Sequence, residues 1–303
     1  MHRTTDNRPH PQVSAVRAGR RMDAMGSGES ARHWQHPELP GVDLLRARYI
    51  RKAFVTHTHD TFVIAAITHG IEEFRHRGDM ERVGSGGVAL LNPDVPHTGH
   101  AGVPEGWRYQ VLYPAPELIA DIAAETAAIR GTAGFRAVVI EDDRRSHRLV
   151  TEVHRAAEEG NALAADSLLR IAVARMLRLY GAPLAPRTVP GAGARNAARA
   201  RAVLEERMAD PPSLGTLAAE LGTSPFSLLR AFRDTYGMPP HTWLTDARVR
   251  RARRLLDAGT PPAQAAVTVG FTDQPHLNRH FTRIVGVPPG AYRRERKNVQ
   301  DRG

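Results

Sequence analysis

The spacing of hydrophobic residues changes several times along this 303-residue chain. From residue 1 to about 37 it has no period and large hydrophobes are few, so 1–37 is expected to be a disordered tail. From about Val42 to Tyr113 apolar residues come in short runs, among them Phe62-Val-Ile-Ala-Ala-Ile67, Val88-Ala-Leu-Leu91 and Trp107-Arg-Tyr-Gln-Val-Leu-Tyr113. Gly, Pro, Asp and Asn separate them, a pattern that predicts the strands of a β-sandwich or small barrel over 38–115. After Pro114 and Pro116 the period moves to about 3.6. Leu118, Ile122 and Ile129, then Leu149, Val153 and Ala157, then Leu169, Val173, Met176 and Tyr180 predict two or three helices over 116–180. Residues 181–194 hold three prolines and three glycines, which break either structure. A linker over 181–195 and a second domain from about Asn196 follow.

The second domain nearly repeats itself. Leu228, Arg230, Phe232, Gly237, Pro239, Pro240 and Trp243 recur 49 residues later as Leu277, Arg279, Phe281, Gly286, Pro288, Pro289 and Tyr292. In the first copy Ser213 suits an N-cap, and Leu214, Leu217, Ala218 and Leu221 follow i, i+3, i+4, i+7 before Gly222 turns the chain. Ser224 and Pro225 then open a second helix with a stripe of Leu228, Phe232 and Tyr236, ended by Gly237. Helix, tight turn, helix is a helix-turn-helix, whose second helix offers its N-terminal half to the DNA major groove. The second copy runs from about Ala263 to Val269 and from about Asp273 to Val285. One helix over His241–Asp257 joins the copies, which sets two reading helices about one DNA turn, roughly 34 Å, apart.

Charge sharpens this reading. The chain has 42 basic and 32 acidic residues, net +10. Only Lys52 and Lys297 are lysines, so arginine richness partly reflects a biased composition. From Arg195 onward there are 18 basic against 10 acidic residues, and 24 against 22 before it. The excess sits on the repeat, where a polyanion partner is expected. The arginines from Arg248 to Arg254 are read as at least half structural, pairing with acids such as Asp246 and Asp257. With no cysteine, disulfide scaffolds, cysteine-liganded zinc fingers and thiol nucleophiles are excluded. No apolar run approaches the roughly 18 residues of a membrane span, and a cytoplasmic location is expected.

Residues 196–298 resemble the DNA-binding domain of AraC/XylS-type transcription regulators. The stretch Gly270-Phe-Thr-Asp-Gln-Pro-His-Leu-Asn-Arg-His-Phe-Thr-Arg-Ile-Val-Gly-Val-Pro-Pro-Gly-Ala-Tyr292 carries the likeness most specifically. The resemblance implies a seven-helix double helix-turn-helix on operator DNA. It places the groove-facing residues at Phe226, Ser227, Leu229 and Arg230 in the first unit, and at Gln274, Pro275, His276, Asn278 and Arg279 in the second. Leu229 fills a slot often polar in the family, which points to apolar contact with thymine methyls or to little specificity there. Ala265 stands where a bulky aliphatic usually packs, which suggests a looser second unit.

The strand-rich half is rich in histidine. His57 and His59, spaced i, i+2, point to one face of a strand, where His97 could join them as a third nitrogen donor. Gly87-Val-Ala-Leu-Leu-Asn-Pro-Asp-Val-Pro-His97 resembles the second stretch of a cupin, as in the sensor half of the same regulators. The first cupin stretch usually carries a glutamate four residues after its second histidine, and here that position is Val63. Three uses of the histidines stay open: a polar effector pocket, which is favoured, a Zn²⁺ or Ni²⁺ site, and structural roles.

The expected fold class is α+β and multidomain: an N-terminal cupin-like β-barrel with trailing helices and a C-terminal all-α double helix-turn-helix. The expected function is sequence-specific transcription regulation, with a small effector bound by His57, His59 and His97 and with dimerisation through 116–180. Expected partners are double-stranded operator DNA, the effector, RNA polymerase and a second copy of the chain. The alternative is a cupin metalloenzyme, such as a dioxygenase or isomerase, carrying an accessory DNA-binding module. No hydrolase triad, phosphate-cradling loop or dinucleotide fingerprint is present, so neither enzymatic activity nor a cofactor is expected.

Overall fold

A computed structural model of the chain describes residues 28–126, 129, 132–184 and 191–300. The first half contains β1 (Ser30–Gln35), β2 (Val42–Tyr49), β3 (Phe54–His57), β4 (Val63–His76), β5 (Asp79–Gly84), β6 (Val88–Leu91), β7 (His97–Ala101) and β8 (Trp107–Pro114). After them come α1 (Pro116–Glu125), β9 (Ala133–Phe135), β10 (Val139–Ile140), α2 (Arg144–Glu158), α3 (Ala162–Tyr180) and β11 (Gly181–Pro183). The second half is helical: α4 (Ala192–Glu206), α5 (Leu214–Glu220), α6 (Pro225–Tyr236), α7 (Pro240–Asp257), α8 (Pro262–Thr268), α9 (Gln274–Val285) and α10 (Pro289–Gln300). The α+β class holds, and no described helix is long and apolar enough to cross a membrane.

β4 organises the sheet. Its first residues pair with β6 and β8 and its last with β5 and β7, so one long strand serves two sheet layers. The path β1-β2-β8-β4-β6-β10 has free ends, so the sheet-rich domain is not a closed barrel. Neighbouring residues serve different cores because side chains alternate across a strand. Leu44, Ile64 and Leu112 pack outward on Val150, Val153, Leu169 and Val173 of α2 and α3. Leu45, Val63, Ala65 and Val111 face inward with Tyr49, Trp107 and Tyr109. Covering both faces explains why Val63-Ile-Ala-Ala-Ile67 shows no polar alternation.

Two expected boundaries move. Ser30–Gln35, inside the expected tail, is a strand antiparallel to β2, because Trp34 is buried in the outer core and Arg32 lies over its ring; the rest of that call, residues 1–27, lies outside the described residues. In the expected linker Gly181–Pro183 pairs with β9, and α4 begins at Ala192 after Gly191 at φ +93°. An edge strand tolerates the proline there.

The repeat folds as two matching units. Leu228 and Leu277, Phe232 and Phe281, Trp243 and Tyr292 are buried in equivalent places. Ser224 and Asp273 cap α6 and α9 by accepting from the N–H three residues on, and Gly237 and Gly286 end both helices in the left-handed conformation. α7 runs unbroken between the units.

Candidate functional site: an exposed helical face and an interdomain cavity

α6 and α9 turn their N-terminal halves outward. Phe226, Ser227 and Arg230 are exposed on α6, with Leu229 half-buried beside them. The Arg230 guanidinium lies 5.4 Å from the centre of the Phe226 ring, and Phe226 itself is 68% exposed. On α9 Gln274, Pro275 and Arg279 are exposed, while His276 and Asn278 are half-buried. His276 is steadied by Thr272 (Nδ1 to Oγ1 3.3 Å) and packs against Phe271 and His280. Asn278 keeps its Oδ1 shielded and without a hydrogen-bond partner among the described residues, so only part of its carboxamide is offered outward. Ala265 is fully buried in the second unit's core.

The C-terminal ends of the same helices meet the sheet domain. A Cβ on Gly286 would collide with the Tyr49 Oη, and one on Gly237 would lie 2.9 Å from Pro96. Lys52 donates to the Thr282 carbonyl of α9. Burial and the nearby Arg283 lower the Lys52 pKa to about 8, although Glu29 opposes them.

α7 supplies the rest of this contact. Thr58 donates from its hydroxyl to the buried Asp246 at 2.6 Å, and Arg250 bridges Asp246 and Thr58. Arg253 reaches Asp43 of β2 at 3.1 Å, and Arg254 reaches Asp60 at 3.2 Å. Arg248 instead donates to the Met208 carbonyl within its own domain. The structural role expected for this run is thus real, but most of the acids lie across the domain boundary, which pattern along one helix does not reveal.

Between the domains lies a cavity of about 790 Å³, counted with its opening to solvent. Leu45, Phe74, Leu91 and Tyr109 come from the sheets, and Val249, Arg250, Arg253, Ile284 and Val285 from α7 and the end of α9. His57, His59 and His97 converge in it, one ring nitrogen of each lying within 4.8 Å of the others. Burial lowers the His57 pKa to about 4 and holds His59 and His97 well below 6.5, so all three rings are neutral. Sequence reasoning missed two further groups. Glu72, buried on β4, has its carboxyl raised to about 8 by desolvation. The buried His33 stacks on Tyr113, whose hydroxyl proton burial also retains.

Comparison with known proteins agrees with both halves. A family model described as an AraC-like ligand binding domain matches residues 39–173, and one described as a helix-turn-helix domain matches 217–295. The uncharacterized HTH-type transcriptional regulator YbfI of Bacillus subtilis (strain 168) is 26% identical over 237 residues, 78% of this chain and 86% of that one. A putative AraC-like transcription regulator of Streptomyces lividans is 32% identical over 139 residues, 44% of this chain and 45% of that protein. The crystal structure of ToxT from Vibrio cholerae O395 shares the fold, with a TM-score of 0.53 at 13% identity over 86% of this chain and all of that one. The chain belongs to the AraC family of transcription regulators, with a ligand-binding domain and a helix-turn-helix DNA-binding domain.

Proposed function

We propose that the chain reads an operator sequence through α6 and α9 and that a small effector in the interdomain cavity sets how those helices are presented. Phe226, Ser227, Leu229, Arg230, Gln274, Pro275, His276, Asn278 and Arg279 are the DNA-contacting set, with Arg279 the strongest reader because a guanidinium pairs bidentately with guanine. The observation that carries the effector reading is the mixed lining: an occupant of the cavity touches the sheets and α7 together. A ligand shifts an equilibrium only through differential contact with its two states, and contacts shared between domains provide that. His57, His59 and His97 with Arg250 and Arg253 favour a ligand bearing an anionic or hydrogen-bonding head and an apolar body.

Leu163, Ile171 and Leu179 are exposed along α3, which supports the helical segment 116–180 as the dimerisation surface. Regulation through RNA polymerase in the cytoplasm is the corresponding output. The test is a compound screen read twice, by melting temperature and by affinity for the operator duplex. A compound that raises the first and changes the second, with both effects lost in Arg250→Ala, supports the reading. Operator affinity that no cavity-binding compound changes would contradict it.

A further inference from the structure

Among the described residues that line the interdomain cavity, Glu72 is the single acid. It stands two residues before Phe74 on β4, and side chains two apart on a strand share a face, so both point inward. A Cβ on Gly99 of β7 would lie 3.3 Å from the Glu72 Oε1 and 3.4 Å from the Phe54 ring, so the glycine leaves the carboxyl its place against that wall. Among the described residues no group donates to this carboxyl and no cation bears on it. Unlike the Tyr49 Oη and Trp107 Nε1, which packing seals, its oxygens open on the cavity.

The cations of the cavity sit at another pole. Arg250 and Arg253 bear on His59, and both are already matched, by Asp246 and Asp43. Glu72 is therefore the charged group of the lining that lacks a counter-charge. An unmatched acid among aromatic side chains is destabilising, because buried charge is ordinarily paired. Leucine or methionine at 72 would fill the same space without that penalty. What a carboxylate offers there is attraction for a cation, and the rings of Phe54, Phe74 and Tyr109 in the same lining add their negative faces.

We propose that Glu72 anchors a basic nitrogen of the cavity's ligand, which makes that ligand an organic amine: its ammonium group pairs with the Glu72 carboxylate and its apolar body lies along Leu45, Val63 and Leu91. Desolvation raises the carboxyl to about 8, and an arriving ammonium supplies the counter-charge that favours the ionised form, so the carboxyl proton passes to solvent. Tyr49, Tyr109 and Tyr113, on which Glu72 acts, keep their hydroxyl protons throughout. This inference rests on the reading of the cavity as the effector site and adds the charge of the ligand's inner end.

The probes are hexylamine, octylamine and phenethylamine, each beside the alcohol of the same skeleton, with hydrocinnamate as an anionic aromatic. Binding to the full-length protein is measured by calorimetry at pH 8, where the amines are charged and the Glu72 carboxyl is about half ionised. Operator affinity is followed in parallel. At least one amine should bind about tenfold or more tighter than its alcohol, the effect of one charged hydrogen bond. In Glu72→Gln, which keeps the shape of the side chain and removes only its charge, the alcohol should bind as in the parent and the preference should fall to about twofold or less. A preference that survives in Glu72→Gln, equal binding of amine and alcohol, or no binding by any amine overturns the inference. Hydrocinnamate that binds and changes operator affinity while the amines fail overturns it too and leaves the effector reading intact. An amine held through Glu72 with operator affinity unchanged supports the pairing and counts against the effector reading.

Discussion

Arg253 on α7 donates to Asp43 on β2 at 3.1 Å, with Asp43 buried and Arg253 largely so, and thus ties the helix between the two helix-turn-helix units to the sheet domain. Gln35 donates to the other Asp43 oxygen at 2.5 Å. Removing one member of such a pair strands a buried charge, whereas replacing both by neutral groups does not. Asp43→Ala is therefore expected to destabilise the chain by about 3–5 kcal/mol. Asp43→Asn combined with Arg253→Met should cost less than the sum of the singles. Denaturant unfolding of the four proteins checks this, and additive effects would show that the pair is not coupled.

The repeat-related glycines Gly237 and Gly286 differ in what they touch. Both have positive φ, 70° and 87°, so alanine is strained at either. At 286 the new Cβ also meets the Tyr49 hydroxyl, on a side chain fully buried among aromatics, while at 237 it meets the edge of Pro96. Gly286→Ala should lower stability by at least about 2 kcal/mol and more than Gly237→Ala, as read by melting temperature. Equal effects would mean the docked face near Tyr49 yields easily.

Stability should peak near neutral pH for reasons of opposite sign. Burial holds His57 at about 4, His154 at about 3, and His59 and His97 well below 6.5. The unfolded chain takes up those protons first, so this contribution is complete above pH 6.5 and is lost as pH falls toward the folded values. Glu72 is the reverse: its carboxyl is raised from 4.5 to about 8, so its contribution is full below 4.5 and declines as pH rises to 8. In chelator-treated protein the melting temperature should climb from pH 4.5 to about 6.5 and fall again toward 8. Glu72→Gln should abolish the fall and stabilise the protein at pH 8 by an amount on the order of a few kcal/mol.

DNA affinity should separate charge from reading. Arg279→Ala is expected to weaken operator binding by about 1–3 kcal/mol and to relax preference at one base pair. A change on α7 at Arg254, which pairs with Asp60, should leave the salt slope of binding unaltered. Titrations of one duplex across salt concentrations give both quantities. A reduced slope in Arg254→Ala would add that residue to the DNA-binding set.

Local chemistry made most of the architecture legible. Caps, αL glycines and the 49-residue offset each depend on neighbours a few residues away, and both helix-turn-helix units follow from them. The two-layer sheet was legible as strands only, because β4 is buried on both faces and its apolar run says nothing about closure. The convergence of His57, His59 and His97 could be read from an i, i+2 spacing and one motif. The Arg250–Asp246 pair was legible as an i, i+4 spacing, but Glu72 and the partners of Arg253 and Arg254 were not, since they lie on other strands or across the domain boundary. The net +8 from Arg195 onward overstated the charge free for DNA, because Arg250, Arg253 and Arg254 are engaged with Asp246, Asp43 and Asp60.

The most direct measurement is binding-site selection from random duplexes with the full-length protein, run beside Arg279→Ala. Two reading helices joined by the rigid α7 require one motif with two blocks about one helical turn apart, and Arg279→Ala should blur a guanine in one block. Recovery of that motif is the predicted result. A pool that stays random, or one that Arg279→Ala enriches identically, would contradict sequence-specific reading by α6 and α9.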